Sequence, residues 1–206
     1  MSEDPGVFGE TVRRGVPVDK VAVARMLAEA FEDDPHARWM HPHAGSRLKE
    51  LRMAFEDSYM ESGRTSEGVD LAVVDGDRIV GAALWMNTTR VRTPRTLADW
   101  VRRRRIFGSR VPLLMEGARQ LAGAHVAEHH WHLMAIATAA EVRGRGYGRA
   151  LMAAGLARCA ADGLPAHLET AKAENVPYYQ RFGFEVVATL ELPKGGPRNW
   201  LMRYEP

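Results

Sequence analysis

The sequence has little cysteine and no long uncharged run. Its single thiol, Cys159, excludes an intramolecular disulfide and any metal site built from several cysteines. No stretch reaches the length of apolar residues that a membrane span requires, and Glu3, Asp4 and Pro5 stand where a secretory leader has its apolar core. We therefore expect a cytoplasmic protein with no membrane partner. No repeat or low-complexity linker interrupts the 206 residues, which predicts one continuous domain over residues 1–206.

The sequence also lacks a strong excess of charge of either sign, because the formal net charge is only +2. Residues 90–119 are the exception, with nine arginines against Asp99 and Glu116, and four of those arginines occupy residues 102–105. Such a run is typical of an RNA-binding surface or of a solvated helix face. Consecutive residues point around a helix instead of forming one stripe, which favours the solvated face. Nucleic acid is therefore not expected as a partner.

The eight histidines include a cluster at His129, His130 and His132. A zinc site needs further carboxylate, histidine or cysteine ligands at suitable spacing, and none accompanies this cluster. The sequence predicts no metal.

The most informative motif is R-G-R-G-Y-G-R at residues 143–149, between a strand-like run at residues 131–138 and a helix-like run at residues 147–161. Glycines in such a turn let backbone N–H groups converge on an anion, and the helix N-terminus adds positive charge. Neither a dinucleotide fingerprint nor a Walker loop fits the spacing. A plain glycine-rich turn with solvated arginines is the alternative. The motif consists of Arg143, Gly144, Arg145, Gly146, Tyr147, Gly148 and Arg149.

The remaining pattern alternates between strands and helices. A helix is predicted from a cap at Asp19 to Phe31, and residues 94–123 are mostly helical, with interruptions near Gly108 and Pro112. The segment at about 94–125 is a candidate cover over the site. Further strands are predicted at residues 11–14, 69–74, 78–85, 166–170, 184–190 and 199–204, with a hairpin turn at residues 75–77 and helices at residues 47–60 and 175–182.

Two motifs carry a family resemblance. Arg143, Gly146 and Gly148 match R/Q-x-x-G-x-G/A, and residues 166–203 contain Asn175, Tyr179 and a G-F pair in the family's order. The chain resembles the acetyl-CoA-dependent N-acetyltransferases of the GNAT superfamily. The resemblance implies an α/β fold with a mixed, mostly antiparallel central sheet and helices on both faces.

The resemblance also implies a site. Acetyl-CoA would serve as cosubstrate, with its pantetheine arm along Ile136, Ala137 and Thr138, its pyrophosphate at residues 143–149, and Asn175 nearby. Tyr179 would be the general acid, while Tyr178 is expected to point away from the site. Some arginines of residues 102–105 are further candidates, for the 3'-phosphate end of coenzyme A.

The base that takes the proton of the amine has two candidates, His132 and Glu169, and a water chain is a third option. His132 is expected to share one face of its strand with Met134, Ile136 and Thr138. Both candidates also have a structural interpretation, as a hydrogen-bonded core histidine and as the partner of an arginine.

The acceptor is expected to be a primary amine of a small molecule, with an aminonucleoside or antibiotic-like compound, and hence antibiotic resistance, as one candidate. Asp34, Trp39 and Trp85 are the predicted substrate-binding residues, because acidic groups beside aromatic rings suit a cationic amine. The alternatives are a peptide or protein N-acetyltransferase and a non-catalytic acyl-CoA-binding protein. A monomer or homodimer is expected.

Overall fold

A seven-stranded sheet runs through the protein in the order β1-β2-β3-β4-β5-β7-β6. The structure is a computed structural model that describes residues 12–64, 68–74, 78–88, 97–124 and 128–206. All neighbouring strands are antiparallel except β4 and β5, which confirms the predicted mixed, mostly antiparallel sheet. The strands are β1 (Val12–Arg14), β2 (Val69–Val74), β3 (Arg78–Asn87), β4 (Trp131–Thr138), β5 (Ala166–Thr170), β6 (Glu185–Glu191) and β7 (Arg198–Tyr204).

Helices pack on both faces of the sheet, and the described part of the chain holds none that is long and apolar enough to cross a bilayer. Helices α1 and α3 lie on one face, with α6 on the other. The helices are α1 (Lys20–Phe31), α2 (Pro35–Met40), α3 (Ala44–Arg64), α4 (Leu97–Phe107), α5 (Val111–Ala124), α6 (Tyr147–Asp162) and α7 (Val176–Gln180).

Helix α2 was not predicted from the sequence. Its cap is Asp34, whose Oδ1 accepts a hydrogen bond from the His36 backbone N–H at 2.9 Å, and Pro35 occupies the first turn, where its missing N–H costs nothing. The predicted interruption near Gly108 and Pro112 is confirmed, because α4 ends at Phe107, a 3-10 turn covers Gly108–Arg110, and α5 begins at Val111 with Pro112 in its first turn. The predicted turn at residues 75–77 and residue 11 of the first predicted strand lie outside the described residues.

The two faces of the sheet bury separate apolar clusters. The cluster under α1 and α3 includes Val23, Leu27, Tyr59, Leu71 and Leu84. The cluster under α6 and α7 includes Trp85, Trp131, Leu151, Leu168 and Met202. A buried ion pair joins α6 to the sheet. Arg158 of α6 donates two hydrogen bonds to Asp70 of β2, at 3.1 and 2.8 Å.

Strand β4 has different strand neighbours in its two halves. The pairing with β3 places Leu84 opposite Ala135 and Trp85 opposite Leu133, so Met134 is an extra residue and forms a β-bulge. On the other side, β4 pairs with β5 only through Trp131, His132 and Leu133, and then the two strands part. Residues 134–138 consequently have a strand neighbour on one side only, which leaves part of their backbone available to a ligand.

Candidate active site

A cleft of about 520 Å³ opens where β4 and β5 part. Its floor is the second half of β4, one end is the glycine-rich turn before α6, and one wall is α7 with the turn that precedes it. The lining residues are Ile136, Ala137, Thr138, Arg143, Gly144, Gly146, Gly148, Arg149, Asn175, Tyr178 and Tyr179.

The glycine-rich turn has the backbone geometry of an anion site. Gly144 and Gly146 have φ values of 78° and 87°, a region that side chains larger than hydrogen rarely adopt. Gly146 is also the N-cap of α6, so the N–H groups of the first helical turn have no partner within the helix and lie beside the cleft. Arg143 and Arg149 add charge at the rim. This arrangement suits a pyrophosphate.

Most of the predicted cofactor-binding residues lie together around this cleft. The exceptions are Arg145 and Tyr147, which do not line it, and Tyr147 packs against the apolar cluster under α6. Asn175 lines the cleft, and its Nδ2 donates to Thr170 Oγ1 at 3.4 Å.

The two candidate bases contact one another. His132 Nε2 lies 3.2 Å from Glu169 Oε2, and both side chains are mostly buried. They adjoin Leu133 and Leu168, the last residues that pair between β4 and β5, so they lie next to the point where the two strands part, and neither lines the cleft. Burial lowers the pKa of His132, but the charge of Glu169 and its hydrogen bond outweigh burial and leave that pKa raised. Glu169 thus favours the protonated form of the His132 imidazole.

Tyr179 lies on the cleft wall and is only 8% exposed. Burial, the neighbouring Tyr178 and the charge of Asp34 all raise the pKa of its phenol. A phenol with a raised pKa keeps its proton at neutral pH. Tyr179 is thus protonated on the cleft wall, which is the form that a general acid needs before it acts.

A second group of side chains surrounds the N-terminus of α2. Asp34 Oδ2 lies 3.6 Å from Lys172 Nζ, and the rings of His36 and Trp39 lie 5.5 Å apart between their centroids. Burial lowers the pKa of His36, although the charges of Asp34 and Glu169 act in the opposite direction. The contact of Asp34 with Lys172, which follows β5 three residues after Glu169, places this group beside the end of β5.

Comparison with known proteins identifies the family. The model of the acetyltransferase (GNAT) family matches residues 24–184, which is most of the chain. The chain belongs to the GNAT acetyltransferase family.

Individual relatives agree with that assignment. The chain is 26% identical over 184 residues to an uncharacterised N-acetyltransferase of Schizosaccharomyces pombe, an alignment that covers 81% of this chain and 70% of that protein. The crystal structure of histone acetyltransferase HPA2 and related acetyltransferase from Corynebacterium glutamicum is 27% identical, with a TM-score of 0.69 over 95% of this chain and 96% of that one. A polyamine N-acetyltransferase of Drosophila melanogaster has the same fold, at 16% identity and a TM-score of 0.62 over 95% and 99% of the two chains.

This GNAT acetyltransferase is accordingly an acyltransferase, and its family uses acetyl-CoA as cosubstrate. Among the described residues, no group of three or more histidine, cysteine, aspartate or glutamate side chains is placed to hold a metal ion.

Two sequence predictions for this GNAT acetyltransferase were wrong. One failed because Trp85 faces the core, and the other because of the β-bulge at Met134. Trp85 is fully buried against α6, where a Cβ on Gly155 would lie only 2.3 Å from its ring, so it is a core residue and does not bind substrate. His132 does not share a face with Ile136, because the bulge at Met134 reverses the alternation along β4.

The prediction that Tyr178 points away from the site was also wrong. Its hydroxyl lies 3.0 Å from the position that a Cβ on Gly148 would take, so it faces the glycine-rich turn. Consecutive residues on a five-residue helix differ by about 100° in direction, and both tyrosines can therefore face one wide cleft.

Helices α4 and α5 pack beside α2 and α3. Arg102 Nε lies 2.8 Å from Asp57 Oδ1, and the Phe107 ring stacks on His41 at 5.3 Å between centroids. No arginine of residues 102–105 lines the cleft.

Sequence reasoning missed two side chains near the site. Lys172 borders Asp34, and His167 lies beside His132 in the pairing of β4 with β5. His36, expected with Asp34 and Trp39 on the substrate wall, also lies beside Asp34. Alternation along β5 places His167 on the same face as Glu169, and this signal was available in the sequence. The contacts of Lys172 and His36 depend on how α2 folds back onto the sheet, which the sequence pattern does not show.

Proposed function

We propose that this protein transfers an acetyl group from acetyl-CoA to a primary amine of a small molecule. The observation that carries the proposal is that the His132–Glu169 pair lies next to the point where β4 and β5 part, the same point at which the cleft with its glycine-rich turn opens. A donor held along β4 and an amine that reaches the pair would meet where β4 and β5 part.

The cleft suits the donor along its length. Backbone groups of residues 136–138 have no strand neighbour on the side of β5 and can bind the amides of a pantetheine arm. The first turn of α6, with Arg143 and Arg149, can bind the pyrophosphate. Acetyl-CoA supplies the thioester carbonyl that is attacked.

The proton transfers are assigned to residues of this chain. The His132–Glu169 pair takes a proton from the ammonium group, because only the neutral amine is nucleophilic. The amine nitrogen then forms a bond to the thioester carbonyl carbon, and the carbon–sulfur bond breaks. Tyr179, which lines the cleft, donates its proton to the departing thiolate. The nitrogen gives up its second proton as the amide forms, and that proton restores the Tyr179 hydroxyl after Tyr179 has protonated the thiolate.

The acceptor wall is assigned to Asp34 and Trp39, with α4 and α5 as a cover beside them. Asp34 and Glu169 supply negative charge for an ammonium group, and Trp39 supplies an aromatic surface. Arg110 of the segment between α4 and α5 binds the Trp39 carbonyl at 2.5 Å, which ties the cover to this wall. A covered wall of this kind favours a small molecule over an extended peptide.

An aminonucleoside is the specific candidate that sequence likeness adds. The segments L-E-T at Glu169, N-x-P-x-Y-x-x-x-G-F at Asn175 and G-P-R-x-W before Leu201 resemble puromycin N-acetyltransferase. Puromycin therefore belongs in the first panel of amines.

A peptide or protein amine is the second candidate. It is favoured by the 27% identity to the Corynebacterium glutamicum structure, whose name describes a histone acetyltransferase. Competition in one reaction separates the two candidates, because peptides should not outcompete small amines if the first is correct.

The test combines binding with turnover. Acetyl-CoA should raise the melting temperature in a saturable manner, because a ligand that binds only the folded state stabilises it by mass action, and NAD should not. A panel of amines that includes puromycin, polyamines and lysine peptides should then release free thiol with at least one small amine. Failure of acetyl-CoA to shift the melting temperature at millimolar concentration would reject the proposal.

A further inference from the structure

The indole of Trp39 is held in a slot between two glycines that are distant in sequence. A Cβ on Gly117 of α5 would lie 3.2 Å from Trp39 Cη2. A Cβ on Gly196, in the connection between β6 and β7, would lie 2.9 Å from Trp39 Nε1 and 2.5 Å from Leu192 Cβ. Neither position can carry a side chain unless the indole or its neighbours move.

The backbone of Trp39 is fixed as well. Its carbonyl accepts a hydrogen bond from Arg110 Nη2 at 2.5 Å, and the α2 helix that carries it is capped by Asp34. Three separate segments therefore determine where the indole ring lies: α2, α5 and the connection between β6 and β7. A side chain with two rotatable bonds that is held in this way is a rigid surface.

The slot is connected to the reacting centre through α2. The His36 ring lies 5.5 Å from the Trp39 ring. Asp34, the cap of the same helix, lies 3.6 Å from Lys172, three residues after Glu169, so α2 begins beside the end of β5. Burial lowers the pKa of His36, so the imidazole is uncharged at neutral pH. The wall thus presents two neutral aromatic rings, with the carboxylates of Asp34 and Glu169 beside them.

Such a wall distinguishes between classes of amine. A flat ring can stack on an indole, and a single ammonium group can reach the carboxylates. A flexible aliphatic polyamine has no ring to stack, and its additional charges would each have to leave water without a partner.

We propose that Gly117 and Gly196 are positioning residues that hold Trp39 as the specificity wall, and that this wall selects primary amines bearing a planar ring over aliphatic polyamines. This inference rests on the proposed function, because it names the substrate class of the same site.

The test uses the full-length protein and a double-mutant cycle. Gly117→Ala places a methyl group against Trp39 Cη2, and Trp39→Phe removes that atom, so the alanine should matter only when the indole is present. Gly45→Ala on α3 is the matched control, since a Cβ there meets nothing within 4 Å. Tyramine and puromycin represent ring-bearing amines, and agmatine and spermidine represent aliphatic ones.

We expect the wild type to favour the ring-bearing amines. Gly117→Ala should raise their KM by roughly tenfold, the effect of one misplaced methylene in a pocket, with the KM of acetyl-CoA unchanged. In the Trp39→Phe background the same alanine should have no further effect, and Gly45→Ala should behave as wild type. Equilibrium binding of tyramine to the protein saturated with CoA should follow the same order, and this readout does not require turnover.

Three results would overturn the inference. They are a preference for spermidine or agmatine, a Gly117→Ala variant that melts earlier but keeps its tyramine affinity, and an equal effect of the alanine in the Trp39→Phe background. Absence of thiol release with every amine would instead count against the proposed function, and the tyramine binding series would still decide whether the wall exists.

Discussion

The two halves of β4 belong to one continuous strand, but they differ in their strand neighbours and in their roles. Trp131, His132 and Leu133 pair with strands on both sides, whereas after the bulge at Met134 residues 135–138 pair with β3 alone. In the first half the strand is part of the core, and Trp131 and Leu133 are buried under α6. In the second half it becomes the floor of the cleft. The comparison shows how a sheet gains a binding surface by omitting one neighbour, without a dedicated loop.

The largest expected effect is a difference in the free energy of unfolding between substitutions in the two halves of β4. Leu133→Ala removes a side chain that is only 4% exposed and should cost about 2–5 kcal/mol of unfolding free energy. Ile136→Ala, on the cleft floor, should cost less and should raise the KM of acetyl-CoA. Denaturant unfolding and steady-state kinetics measure the two. Equal losses of stability with no change in KM would remove the distinction.

The next effect concerns the acid on the cleft wall. Tyr179→Phe should lower kcat by about 10²-fold, because general acid catalysis contributes at least that much, while the KM of acetyl-CoA changes little. Tyr178→Phe is the matched control, since Tyr178 lines the same wall and has no assigned proton transfer. An unchanged kcat in Tyr179→Phe across the whole pH range would refute the role.

A smaller effect tests the cradle. Gly144 and Gly163 have φ values of 78° and 62°, and a Cβ on either meets nothing within 4 Å. Alanine at either position should therefore cost about 1 kcal/mol of stability through the same backbone strain. Only Gly144→Ala should weaken acetyl-CoA binding, because Gly163 lies at the far end of α6. Matching losses of acetyl-CoA affinity in both variants would show that the turn acts through general stability alone.

The smallest expected change is in the position of a pH profile. A base must be unprotonated, so the rate falls as the pH drops through the pKa of His132, which Glu169 raises. Glu169→Gln removes that influence and leaves burial, which lowers the pKa, so the acidic limb should move to lower pH. The pH dependence of kcat/KM measures this shift.

The same profile distinguishes the two bases. A limb that moves to lower pH in Glu169→Gln identifies His132 as the proton acceptor. Loss of activity at every pH would identify Glu169 instead. A limb that stays in place in Glu169→Gln and also in His132→Gln would exclude the pair.

The fold and the strand–glycine turn–helix unit around residues 144 and 146 could be predicted because their signals are local. The glycines at residues 144 and 146, the strand before them and the helix after them are contiguous, and the predicted mixed sheet is confirmed. The short helix α2 was missed because its cap at Asp34 also suits a solvated loop.

The errors at the site come from contacts between distant segments. The face of His132 was predicted from uninterrupted alternation, and the bulge at Met134 is visible only in the pairing of β4 with β3. Trp85 was predicted to bind substrate, but its ring packs in the core, in the space that Gly155 leaves by having no side chain. The proximity of His132 to Glu169 likewise depends on β4 and β5 being neighbours, since the chain separates them by a helix.

Hydrogen exchange with and without acetyl-CoA tests the central claim most directly, because it reads the two halves of β4 in one experiment. We predict that ligand protects amides within residues 134–138 and those of the first turn of α6, while amides of residues 131–133, already paired on both sides, do not change. Protection confined to residues 131–133, or none in β4 when acetyl-CoA is shown to bind, would contradict the assignment of the cleft.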